Sequence, residues 1–136
     1  MKLNARSETN LKLVHPDLVK VVRRAAEQIT EPDFGFIVTS GPRTIEQQRE
    51  LFKKGATRTM RSRHLIGKDG FCYAVDLAAW IGTERNVKWD WPLYARLAKI
   101  MKQAAKDVKV PIEWGGDWKS FKDGPHFQLP VARYPG

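Results

Sequence analysis

A chain of 136 residues with 42% hydrophobic side chains suffices for one core and is tight for two, so one domain over 1–136 is expected. A formal net charge of +9 favours anionic partners, such as nucleic acid, acidic lipid or an anionic wall polymer, without choosing among them. No apolar run approaches the roughly 20 residues that span a bilayer, so stable membrane insertion is not expected. The N-terminal stretch MKLNARSETNLKLVHPD has no apolar core of a secretory signal, and the single cysteine, Cys72, forbids an internal disulfide; both agree with synthesis in a reducing cytoplasm.

In chain order, residues 16–29 predict a helix. Pro16 suits the first helical position, and Leu18, Val21, Val22, Ala25 and Ile29 recur on one face. Phe34 to Thr39 predicts a strand, followed by a turn at Ser40-Gly41-Pro42-Arg43. Thr44 and Gln47 match a capping box opening a second helix, with Gly55 at its far end. Residues 56–70 read as a polar, glycine-punctuated loop carrying His64.

Phe71 to Ala78 predicts a strand whose period of two places Asp76 on a face with Cys72, Ala74 and Ala78. A carboxylate among such small neighbours has room beside it for a metal or a substrate. Residues 91–109 predict a third helix, apolar at Leu97, Ile100, Met101, Ala104 and Val108. Its Lys99, Lys102, Lys106 and Lys109 form an opposite stripe read as a solvated face. Val110 to Trp114 and Pro125 to Leu129 predict two short strands, and the fold class is α+β.

Three histidines are present. His15, just before Pro16, has the position of a local capping residue. His64 lies in a Ser-Arg-His loop, and His126 follows Asp123 by three residues on a strand where Gln128 points the same way. Two histidines and a carboxylate, Asp76, form a sound set for catalytic zinc: three ligands leave the fourth tetrahedral position for water, whose pKa zinc can lower to about 7. A second carboxylate is then needed to move the water's proton, and Asp123 beside His126 is the candidate. By spacing alone, any small domain with loop histidines and aspartates could look similar.

The order of these motifs narrows the choice. Ser62-Arg63-His64, Gly67, Ala74-Val75-Asp76 and Asp123-Gly124-Pro125-His126 resemble the Ser-x-His-x-x-Gly-x-Ala-x-Asp and Asp-x-x-His signatures of the M15 family of zinc peptidases. That family holds D-Ala-D-Ala carboxypeptidases, dipeptidases and the L-alanyl-D-glutamate peptidases of phage endolysins. Gly41-Pro42-Arg43-Thr44 and Glu113-Trp114-Gly115-Gly116-Asp117-Trp118 are similar to two further family stretches, so the likeness runs from about His15 to Leu129.

The resemblance implies a small antiparallel sheet with packed helices, of the Hedgehog/DD-peptidase type. It implies Zn2+ held by His64, Asp76 and His126, with Asp123 as catalytic base. Arg43 would stabilise the oxyanion or hold a substrate carboxylate, Ser62 would neighbour the site, and Trp118 would border the substrate. The implied activity is hydrolysis of peptidoglycan stem peptides at the L-Ala–D-Glu bond by a monomeric endolysin. Such an enzyme accumulates in the host cytoplasm and meets the wall after the membrane is permeabilised.

The chain departs from the family at one point. His64 and Asp76 are twelve positions apart where the family has seven, placing five extra residues within 68–73 and leaving Asp69 as the alternative ligand. Cys72 is about 13 Å from Asp76 along a regular strand, too far to share a metal, and reads as buried packing. Trp80, Trp89 and Trp91 also read as packing, and Trp114 as core or site wall. The competing readings are a D-Ala-D-Ala carboxypeptidase or dipeptidase, a non-catalytic wall-binding module, and a nucleic-acid binder, for which no binding motif accompanies the charge.

Overall fold

The computed structural model describes residues 1–55 and 62–135, so positions 56–61 of the expected loop lie outside the described residues. Helix α2 (Pro16–Gln28) forms where the apolar periodicity predicts it. His15 caps it, its Nδ1 accepting from the Asp17 N–H at 3.1 Å. Leu18, Val21 and Val22 lose all contact with water, each worth about 1.5–3 kcal/mol of burial. Helix α4 (Trp91–Val108) packs on α2 and ends at Lys109, which takes up a left-handed conformation at φ 60°. The lysine stripe of α4 is exposed, as its charge requires.

The sheet is antiparallel. Strand β1 (Phe34–Ser40) pairs with β2 (Ala74–Ile81), β2 with β5 (His126–Gln128), and β5 with β4 (Glu113–Trp114); β3 (Asn86–Val87) pairs with the far end of β2. Val75, Leu77 and Ala79 of β2 join the core with α2 and α4, which turns Asp76 to the opposite face. The α+β class and the antiparallel sheet agree with expectation.

Four details differ from the sequence reading, the first being strand β3, which no predicted element covers. A short helix α1 (Ala5–Leu11), capped by Asn4, precedes α2 and covers the edge of β1: Ser7 Oγ accepts from the Val38 N–H at 2.9 Å, and Asn10 donates to the Val38 carbonyl at 2.8 Å. Strand β2 starts at Ala74, because Cys72 bridges to Val14 before α2 instead of continuing the main ladder. Strands β4 and β5 keep only two and three residues of the longer predicted runs.

Helix α3 (Ile45–Lys53) begins with the predicted capping box. Thr44 Oγ1 accepts from the Gln47 N–H at 3.1 Å, and Gln47 Oε1 accepts from the Thr44 N–H at 2.9 Å. Gly55 follows at φ 73°, past the helix end.

Candidate metal centre

Strand register brings the first two site residues together. Asp76 on β2 and His126 on β5 are direct cross-strand partners, so their side chains leave the same face. The His126 Nδ1 lies 3.4 Å from Asp76 Oδ1.

His64 arrives from a loop pinned on three sides. Its carbonyl accepts from the Arg43 N–H at 2.8 Å, its N–H donates to Ser62 Oγ at 3.1 Å, and its ring Nδ1 donates to the Gly41 carbonyl at 2.8 Å. The ring is then 2% exposed, with Nε2 3.3 Å from Asp76 Oδ2 and its plane 71° from that of His126 at 5.2 Å. Gly41 is needed here for a second reason: a Cβ on it would stand 2.0 Å from the Asn10 carbonyl at the end of α1.

The outer hydrogen bonds select the tautomers. A carbonyl facing His64 Nδ1 keeps the proton there and leaves the Nε2 lone pair free. His126 Nε2 faces the amide oxygen of Gln128 at 2.7 Å, and that amide donates onward to Glu113 at 3.3 Å. His126 is thereby left with a free lone pair on Nδ1. Two imidazole nitrogens and a carboxylate converge, all within 4.8 Å of one another. His64 Nε2 and Asp76 Oδ1 are buried without a hydrogen-bond partner, which is costly unless a cation joins them. The set could hold a metal ion.

Electrostatics follow the same geometry. Burial raises the Asp76 carboxyl, but its interactions with His126 and His64 outweigh burial and hold it well below the usual carboxylate range. Burial lowers the His126 imidazolium, and the hydrogen bond and charge of Asp76 reverse this to a net rise. Asp123 is exposed as a residue, yet desolvation of its carboxyl and the nearby Asp76 charge raise it, with His126, His64 and Arg43 pulling less strongly the other way.

The remaining predicted residues surround this group. Arg43 Nη1 donates to Gln48 at 2.6 Å and lies 3.5 Å from Ser62 Oγ, tying it to the His64 loop. Trp118 packs on His126 with ring centres 5.0 Å apart. Asp123 is held by Gly115, whose carbonyl accepts its N–H at 3.1 Å, and its own carbonyl accepts from the His126 N–H at 3.2 Å.

A family model described as phage L-alanyl-D-glutamate peptidase matches residues 1–129. The chain belongs to that family. It is similar to the L-alanyl-D-glutamate peptidase of Listeria phage A118, 41% identical over 92 residues that span 68% of this chain and 29% of that protein. The corresponding protein of Escherichia phage T5 is 29% identical over 141 residues, covering 99% of this chain and 93% of the other. The crystal structure of Serratia marcescens L-Ala D-Glu endopeptidase ChiX superposes with a TM-score of 0.84 at 41% identity, covering 100% of this chain and 95% of that one.

The segment between His64 and Asp76 closes on itself. Gly67 donates to the Phe71 carbonyl at 2.8 Å, Gly70 donates to Gly67 at 3.0 Å with φ 84°, and Tyr73 rejoins Arg63 at 2.8 Å. Asp69 bonds the Tyr73 hydroxyl and the Phe71 N–H inside this turn and does not join the metal-binding group. Cys72 is fully buried with its thiol pushed up to about 11 by burial, as a packing residue would be. Sequence reasoning missed the Gly41 carbonyl, Gln128 and Glu113 as supports of the histidines. The only available signal was the shared strand face of His126 and Gln128.

Proposed function

We propose that this protein is a zinc-dependent peptidase that hydrolyses the L-Ala–D-Glu bond of bacterial peptidoglycan, the bond in the names of its phage and bacterial relatives. The observation that carries this reading is the convergence of one ligand atom from each of His64, Asp76 and His126, all within 4.8 Å of one another. His64 Nε2 and His126 Nδ1 lie 3.3 and 3.4 Å from the two oxygens of Asp76, Oδ2 and Oδ1, so the carboxylate faces both rings.

Zinc, when bound at these three residues, supplies a Lewis acid and water acidified to near neutrality. The chain's own residues do the rest. Asp123 accepts a proton from the attacking water and returns it to the leaving amine. Its raised carboxyl suits both halves of that task, since a base that must later act as acid should not be too weak. Arg43, held by Gln48 and Ser62, offers its guanidinium to the developing oxyanion or to a substrate carboxylate. Trp118 walls the site beside His126.

No helix among the described residues is long and apolar enough to cross a membrane, and the net charge of +9 attracts the chain to an anionic wall. We read the protein as a monomeric endolysin that accumulates in the host cytoplasm and reaches the wall once the inner membrane is permeabilised.

Mass spectrometry of digested peptidoglycan tests the proposal. New N-terminal D-Glu is expected, and release of D-Ala would assign the carboxypeptidase activity instead. Asp123→Asn should lose about 10²–10⁴-fold in turnover while keeping one zinc per chain. Undiminished lysis by that variant would remove Asp123 as the base.

A further inference from the structure

Two large side chains remain unused by this mechanism. Trp89 is 65% exposed and Trp91 is 48% exposed, contrary to their reading as packing residues. They are not loose on the surface. Trp89 lies flat on Tyr94, with ring centres 5.8 Å apart and planes 1° apart, and Trp91 stacks on Trp114 at 5.6 Å and 29°. Trp91 and Trp114 meet at Gly124, where Trp114 Nε1 donates to the Gly124 carbonyl at 2.7 Å and an added Cβ would meet Tyr94 Cβ and the Trp91 ring at 3.2 and 3.3 Å; Trp89 joins them through Tyr94.

Gly124 is the residue between Asp123 and Pro125-His126. Trp91 therefore stands against the residue next to the proposed base, where the chain enters β5, on the α4 side of the sheet. Arg43 belongs to the other side, joined through Ser62 and the His64 carbonyl to the His64 loop. One flank is cationic, and the other offers rigidly backed indole faces to solvent.

We propose that Trp91 and Trp89 form a subsite for the peptidoglycan sugar attached to the acyl half of the scissile bond. This rests on the L-Ala–D-Glu reading above. In that substrate the L-Ala amine is joined to the lactyl group of muramic acid. The sugar thus follows the scissile carbonyl after one amino acid and one lactyl unit, about 7 Å of extended chain. It has to lie against the rim of the site. The C–H face of a pyranose is apolar and stacks on an indole, whose π-face carries partial negative charge. The leaving half differs. Its D-Glu continues the stem through the side-chain carboxyl and carries a free α-carboxylate, which suits Arg43. Each half of the substrate meets the flank whose chemistry matches it.

The test compares a disaccharide-tetrapeptide with the same tetrapeptide lacking sugar. Wild-type protein should prefer the sugar-bearing substrate in kcat/KM. Trp91→Ala and Trp89→Ala should each lower that preference by about three- to tenfold, the scale of one aromatic stack, chiefly through KM on the sugar-bearing substrate. Trp91→Tyr keeps an aromatic face, guards against misfolding of the alanine variant and should retain most of the preference. An unchanged preference, or an equal loss on both substrates, overturns the subsite and makes the indoles supports of the Gly124 turn. A shift from dimer to monomer with unchanged preference overturns it in favour of a second copy of the chain as occupant. Wild-type protein that cleaves neither substrate refutes the peptidase reading itself, a result distinct from the others.

Discussion

Replacing Gln128 with alanine isolates the hydrogen bond that selects the His126 tautomer. In the structure Gln128 Oε1 accepts a hydrogen bond from the His126 Nε2–H at 2.7 Å, leaving Nδ1 as the atom that faces Asp76. Without the amide, the proton is free to move to Nδ1 and block the lone pair the metal needs. Outer partners of ligating histidines are worth about 10–100-fold in metal affinity. Gln128 is only half-buried, so water can take over part of its role, and the low end applies: about tenfold, or about 1.4 kcal/mol. Competition against a chromophoric chelator measures this directly. Gln128→Glu keeps an acceptor facing His126 but loses the bond to Glu113 and sets a second carboxylate beside it, so it should recover only part of the lost affinity. Binding by Gln128→Ala within twofold of wild type, or equal weakening in both variants, would refute the reasoning.

Gly115→Ala should inactivate more than it destabilises. Its new Cβ would lie 2.3 Å from the Asp123 carbonyl and 3.1 Å from His126 Cβ, so relief of a clash worth about 1–3 kcal/mol must move both residues. Paired thermal melts and turnover measurements check this, and wild-type turnover contradicts it. The metal should also show a pH signature. The raised His126 value means its ion pair with Asp76 stabilises the metal-free protein fully below the ordinary histidine pKa of about 6.5, and that contribution is lost as pH rises through the folded value. Zinc competes for the same ring, so the rise in melting temperature on adding zinc should widen between about pH 6 and pH 8. Melts with zinc and with chelator across that range decide it, a constant difference being the contrary result.

Much of this arrangement is legible in the residues themselves. The faces of α2 and α4 announce their burial by apolar spacing, and the Thr44–Gln47 box marks the start of α3. Helix α1 escapes such reading because it buries Ser7 and Leu11 alone, and a serine that accepts from a strand edge looks like any polar residue. The identity of Trp89 and Trp91 suggests packing, yet tryptophan has enough surface to pack one face and expose the other. For the site, motif order pointed to His64, Asp76 and His126, and the strand register that makes Asp76 and His126 neighbours is a tertiary fact. Of the atoms that choose each tautomer, the backbone carbonyl at Gly41 carries no sequence signature of that role, and the amide at Gln128 shows only that it shares a strand face with His126.

Anomalous diffraction from crystals grown with zinc tests the central claim most directly. The account predicts one strong peak in contact with His64 Nε2, an Asp76 carboxylate oxygen and His126 Nδ1, at about 2.0–2.2 Å from each. A peak elsewhere, or ligation through the opposite nitrogen of either ring, would contradict it.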